Sequence, residues 1–143
     1  MINRCTDRTE EIAREAGAVI VREDAKNLSK IRNAGAAVAR GEVLVNIDAD
    51  STMSSNFLAE VDRLLATGRY IGGGTSFRLD RLTLGIVLSS LWIVPAVLAL
   101  RVAAGAFWLL RSDYEALGGF DEERLSGEDV EFARRLKRYA RGQ

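Results

Sequence analysis

The stretch VLVNIDAD, Val43 to Asp50, decides the fold. Val43, Leu44, Val45 and Ile47 make it β-rich and apolar on both faces, which predicts a central strand of a parallel sheet, covered on both sides. The strand runs directly into Asp48-Ala49-Asp50. In an open α/β sheet, ligands gather beyond the carboxyl ends of the strands, so the position suits binding chemistry as well as the residue type does. Two carboxylates two apart in a turn can hold a hard divalent cation, Mn or Mg, with sites left for phosphate oxygens. The alternative is a strand-ending turn in which Asp50 caps the next helix. A calcium-binding EF-hand loop is excluded, because its sixth position would be Met53 where Gly is needed and its twelfth Ala59 where Glu is needed.

Working outward, helices flank this strand on both sides. A helix is predicted from Lys30 to Ala39, with a small-residue face of Ala34, Ala36, Ala37 and Ala39 and an end before Gly41. Further upstream, "AVIV" (Ala18 to Val21) reads as a buried strand. The helix before it runs from about Asp7 to Ala16, with Asp7 and Glu10 at capping-box spacing, Ile12, Ala13 and Ala16 inward and Gly17 as the stop. Downstream, Ser54 or Ser55 caps a helix whose stripe is Phe57, Leu58, Val61, Leu64 and Leu65. Gly72 to Gly74 interrupt the next strand, either as a bulge or to let backbone approach a ligand. Ser112 and Glu115 form a capping box for a short helix ending at Gly118-Gly119, and a last helix starts near Gly127. Alternation of strands and helices over most of the length predicts one α/β domain, residues 1–143, with a mostly parallel sheet.

The 143 residues carry 20 Lys+Arg against 20 Asp+Glu, with 48% hydrophobic and 28% charged, the composition of a folded domain with one core. Zero net charge gives no basic field for nucleic acid. The absence of His excludes a Ser-His-Asp triad, a Cys-His dyad and His-ligated zinc, so catalysis falls to carboxylates, hydroxyls, lysine or a carboxylate-held metal. Cys5 stands alone and makes no intramolecular disulfide. The polar N-terminus does not resemble a signal peptide, and the expected location is the cytoplasm or the cytoplasmic face of a membrane. The last option comes from Leu82 to Leu100, uncharged for 19 residues. That length meets the threshold for a membrane span, yet Gly85, Ser89-Ser90 and Pro95 favour a buried or interfacial helix pair bent at the proline. Residues 82–104 are therefore set apart as an apolar insert.

Two further clusters carry chemistry. Glu128 and Asp129 open the last helix, where the positive end of the helix dipole favours negative charge, and Ser126 stands three before Asp129 as an N-cap would. They are either capping residues or a general base that takes a proton from an acceptor hydroxyl. Arg32-Asn33 begins the small-residue helix. The guanidinium either pairs with a phosphate near the sheet edge or is a solvated surface group.

Taken in order, TDRTEEIAREAGAVIV (6–21), RNAGAAVARGEVLVNIDAD (32–50), GAFWLLRSDYEALGGFDE (105–122) and GEDVEFARRL (127–136) closely resemble family 2 glycosyltransferases. The resemblance implies the GT-A fold, a Rossmann-like mixed sheet, and transfer of a sugar from a nucleotide-diphosphate donor, UDP- or GDP-linked, with inversion. It implies Asp48 at the donor ribose or metal and Asp50 on a divalent metal, Mn or Mg, under the diphosphate. Asp129, with Glu128 beside it, matches the acidic motif that supplies the base, and Arg32 and Asn33 fall at the donor site. An acceptor sugar, or one carried on a lipid, and a membrane surface fit the apolar insert. Against the family pattern, the first strand is absent and MINRCTDRT stands where the second would end, which implies a truncated domain. An open sheet edge of that kind invites a homodimer. One alternative is a degenerate domain of this type that binds a partner or membrane without turnover. The other is a haloacid-dehalogenase-like phosphatase, matched by VLVNIDADST but lacking the Gly-Asp-x-x-x-Asp segment; Lys137 is the sole lysine after Asp50.

Overall fold

The apolar run of Val43–Ile47 forms strand β1, and its two faces serve two separate cores. The computed structural model describes residues 1–75, 83, 85, 88–92, 94–95 and 106–142. Among these the order is α1 (Thr9–Glu15), α2 (Leu28–Val38), β1, α3 (Phe57–Leu65), β2 (Gly72–Gly74), β3 (Ala106–Leu110), α4 (Arg111–Ala116) and α5 (Glu128–Ala140). The sheet has three strands in the order β1-β3-β2. Both pairings are antiparallel, with Val43 opposite Leu110, Ile47 opposite Ala106, and Gly73 opposite Trp108.

The α/β class expected from the sequence stands, but the mostly parallel sheet is corrected: the described strands are antiparallel. Burial on both faces was the basis for expecting parallel pairing, and its cause is different. Leu44 joins Leu109, Tyr114, Phe120 and Phe132 on one face, roofed by α2, α4 and α5, with Ala36 and Ala39 packed against them. Val43 and Val45 pack on the other face against Phe57 and Val61 of α3, with Ala106 and Trp108. A strand sandwiched between helices is apolar on both sides whichever way its neighbour runs. Parallel pairing survives as an isolated bridge between Ile2 and Arg22. The expected strand at Ala18–Val21 does not form beyond it, and Val19 is exposed.

Local signals shift several boundaries. Asn27, extended, accepts from the Lys30 amide at 3.1 Å and starts α2 two residues before Lys30. At α1, the Asp7 carboxylate accepts from the Thr9 amide and hydroxyl, and no cap bond to a box partner forms. Ile12, expected inward, is exposed, and α1 buries no residue. Neither Ser54 nor Ser55 caps α3; Asn56 holds that position without a side-chain bond. The box at Ser112 is likewise absent, because α4 follows β3 with no intervening loop and Leu110 is its N-cap. Ser126 does not cap α5 either, since Gly127 occupies the N-cap in the left-handed region. Gly72–Gly74 do form a strand, and a Cβ on Gly73 would lie 2.9 Å from the Trp108 indole, so the glycine makes room for that buried ring.

Most of the apolar insert, residues 82–104, lies outside the described residues, and the expectation of a helix pair bent at Pro95 falls there in the main. Among the described residues no helix is long and apolar enough to cross a membrane. Leu88, Leu91, Trp92 and Val94 are exposed.

Candidate active site

β1 delivers its carboxyl end into a turn in which the Ser51 amide donates to the Asp48 carbonyl at 3.0 Å. Asp48 and Asp50 are both exposed there, and Asp50 accepts from the Ser51 hydroxyl at 3.5 Å. The first turn of α5 brings Glu128 and Asp129 to the same side of the molecule. The left-handed Gly127 makes that approach possible, at φ 71°. Between the two stands Arg32, on the face of α2 that packs on the sheet.

Arg32 is the hub. Its Nη1 donates to Glu128 Oε1 at 3.0 Å and to Asp129 Oδ1, and its Nη2 to Asp129 Oδ2 at 3.4 Å. Nη2 also lies 3.9 Å from Asp48 Oδ1. The guanidinium sits 5.2 Å from the Phe120 ring centre and 5.9 Å from that of Phe107, within cation–π range of both. The side chains of Arg32 and Glu128 are 14% and 9% exposed, against 41% for Asp129 and 60% for Asp48. The cluster is therefore graded from a buried ion pair to an open carboxylate, one cation facing three anions. Burial pushes the Asp129 carboxyl above the ordinary aspartate range. Arg32 opposes that shift, while Glu128 and Asp48 add to it.

The structure thus draws together four of the residues singled out by sequence: Arg32, Asp48, Glu128 and Asp129. Asp50 stands two residues along the same turn. Asn33 is used differently. Its Nδ2 donates to the Phe120 carbonyl at 2.9 Å and to Glu122 Oε1 at 2.8 Å. Its Oδ1 accepts from the Phe120 amide at 2.8 Å and the Tyr114 hydroxyl at 2.5 Å. A carboxamide has two donor hydrogens and two acceptor lone pairs, so this one has none left for a ligand. Asn33 fastens α2 to the loop that leads into α5.

Three positioning groups escaped the sequence reading. Asn27, besides capping α2, donates to the carbonyls of Glu122 at 2.8 Å and Arg124 at 3.3 Å. Tyr114 is kept protonated by burial, its hydroxyl pushed up to about 12. Arg135 donates to the carbonyls of Leu117 and Gly119, each at 2.7 Å, closing the end of α4, and to Glu131 Oε1 at 2.7 Å. The i,i+4 spacing of Glu131 and Arg135 was a visible signal for the last pair.

Gly119 lies where these ties converge, at φ 70°, and a Cβ there would stand 2.8 Å from Asn33 Oδ1. The left-handed conformation alone costs a side chain about 1–2 kcal/mol, and the clash adds to it. Gly119→Ala should therefore lower the unfolding free energy by about 2 kcal/mol in urea titrations; Gly17→Ala, with open space around its Cβ, should lose only the conformational part.

The raised Asp129 carboxyl has a consequence for stability. The folded state binds this proton more readily than the unfolded chain, so its contribution is present at low pH. That contribution is lost as pH climbs from about 3.8 through the raised folded value. Asp129→Asn should remove this downward slope, read as the difference between parent and variant urea midpoints across the acid range.

The family model described as Glycosyl transferase family 2 matches residues 3–85, a stretch that holds Arg32, Asp48 and Asp50 and stops short of Glu128 and Asp129. No curated protein matches.

Proposed function

The chain belongs to glycosyl transferase family 2, and on that premise we propose that it moves a sugar from a nucleotide-diphosphate donor, UDP- or GDP-linked, to an acceptor hydroxyl by a single inverting displacement. The observation that carries this reading is the convergence on Arg32 of the strand-end Asp48 and the helix-start Glu128 and Asp129. A donor-side carboxylate and a base-side carboxylate then share one edge of the sheet.

Asp129 is the base in this proposal. It accepts the proton of the acceptor hydroxyl as that oxygen attacks the anomeric carbon, and the bond from that carbon to the diphosphate breaks with inversion. A carboxyl whose proton affinity is raised by burial suits the task better than an ordinary aspartate does. Glu128, buried against Arg32, holds the guanidinium and not the substrate.

Asp48 and Asp50 would hold a divalent metal. Among the described residues no cluster of three or more His, Cys, Asp or Glu forms a closed cage. Two exposed carboxylates in one turn nevertheless fit Mn or Mg, which takes one or two carboxylates and completes its shell with phosphate oxygens and water. When bound, such an ion neutralises charge gathering on the departing diphosphate. The exposed Leu88, Leu91, Trp92 and Val94 support an apolar acceptor, or one carried on a lipid at a membrane surface.

Calorimetric titration with UDP and then GDP, each with and without manganese, tests the reading. Manganese-dependent binding by the parent is expected. Asp50→Ala should abolish it with an unchanged melting temperature, because Asp50 is exposed and its side chain gives up only a long bond to the neighbouring Ser51 hydroxyl. Absence of nucleotide binding by the folded parent would reject the donor site.

A further inference from the structure

The resemblance puts Arg32 at the donor, yet three of its five N–H donors are committed elsewhere. Nη1 is shared by Glu128 and Asp129, and Nη2 faces Asp129 and, at 3.9 Å, Asp48. The guanidinium carbon lies over the rings of Phe120 and Phe107. We infer that Arg32 is a positioning residue, which holds the Asp129 side chain in one rotamer and ties it to the Asp48 end of the site. The inference rests on the base role proposed above for Asp129.

Three features of the geometry lead there. Contact through both carboxylate oxygens of Asp129 removes the rotation that a single hydrogen bond would leave free. Glu128, 9% exposed, and the two aromatic rings in turn stop the guanidinium from swinging toward solvent. Asp129 itself is 41% exposed and takes its hydrogen bonds among the described residues from Arg32, so its orientation depends on Arg32. A nucleophile, a base and a third group that orients the base is the recurring logic of proton-transfer sites. Here a cation is the orienting group, and it partly offsets the rise in proton affinity caused by burial.

Arg32→Lys separates this role from donor contact and from plain structural support. Lysine keeps the charge but offers one point where Arg offers a fork, and it does not stack. The first measurement is the set of three-bond couplings to the Asp129 carboxyl carbon, which report its χ1 rotamer by NMR. The parent should show one rotamer and Arg32→Lys an average. Averaged couplings in the parent would overturn the proposal without any variant being needed, so it stays testable even if Arg32→Lys fails to fold. The second is turnover of UDP-glucose or GDP-mannose, whichever nucleotide binds the parent with manganese. A misplaced base should lower kcat about 10²-fold while KM for the donor stays within about threefold. A KM raised tenfold or more at unchanged kcat would instead assign Arg32 to the donor and reject positioning. If the parent neither binds nucleotide nor turns over, the transferase reading falls, and the couplings alone decide whether Arg32 positions Asp129.

Discussion

Arg32→Met is expected to lower the unfolding free energy by about 3–5 kcal/mol, enough to drop the melting temperature by roughly 10 °C or more in a domain of this size. Glu128 is the residue that the substitution leaves exposed to this cost. Its side chain is 9% exposed and its recorded ionic contact is Arg32 at 3.0 Å. Without that cation a carboxylate is left inside the protein with its desolvation uncompensated, which is far more costly than the pair itself is stabilising. Phe120 and Phe107 lose a neighbour as well. The sharper part of the expectation is the rescue. Arg32→Met combined with Glu128→Leu removes both charges and should recover most of the loss, because well-packed apolar residues replace a buried pair at little or no cost. Urea midpoints of the two single variants and the double variant complete the cycle. A loss below about 1 kcal/mol in Arg32→Met would show that water reaches Glu128 freely and that the cluster behaves as a surface ion pair.

Asp129→Asn is the second large effect, and it falls on chemistry. Asparagine keeps the size of the side chain and one oxygen facing Arg32, but it cannot take a proton from an acceptor hydroxyl. Transfer should fall about 10²–10⁴-fold, the usual contribution of a positioned general base. Nucleotide binding should persist, because Asp48 and Asp50 are untouched, and folding should persist, because Glu128 still neutralises Arg32. Single-turnover kinetics together with calorimetry separate the two. Unchanged turnover would remove Asp129 from the base role and leave it as a helix-start residue.

Much of the site was legible because its signals are local. A hydrophobic run that stops at Asp48-Ala49-Asp50 announces both a strand and the acidic turn that ends it, and the acidic start of α5 is announced by Gly127 and the residues after it. The sheet direction was not legible. Leu44 and Val45 pack against opposite helical layers, and that alternation is the same for either direction of β3. Asn27 supplied a cap signal that the alanine-rich stripe obscured, which set the expected start of α2 two residues late. Asn33 shows the limit most clearly. Its type fits a sugar or a ribose as well as it fits a loop, and its partners Phe120 and Glu122 lie 87 and 89 residues away. The contact of Arg32 with Glu128 and Asp129 spans 96 and 97 residues, beyond any spacing rule.

Those long separations also bear on how the molecule comes to exist. Asn27, Arg32 and Asn33 all sit on or beside one short helix and all reach across to residues 120–129. Closing a loop of that size carries an entropic cost that rises only slowly with length, by about 0.6 kcal/mol per doubling, but it must be met before any of these contacts forms. Folds dominated by such distant pairings reach the native state slowly. During synthesis, α2 emerges with the Arg32 guanidinium unmatched, and that group waits for the first turn of α5 to leave the ribosome. Glu128 and Asp129 are therefore the last members of the site to be made, and a nascent chain stopped before Gly127 has the sequence of α2 but neither of the acids that Arg32 contacts.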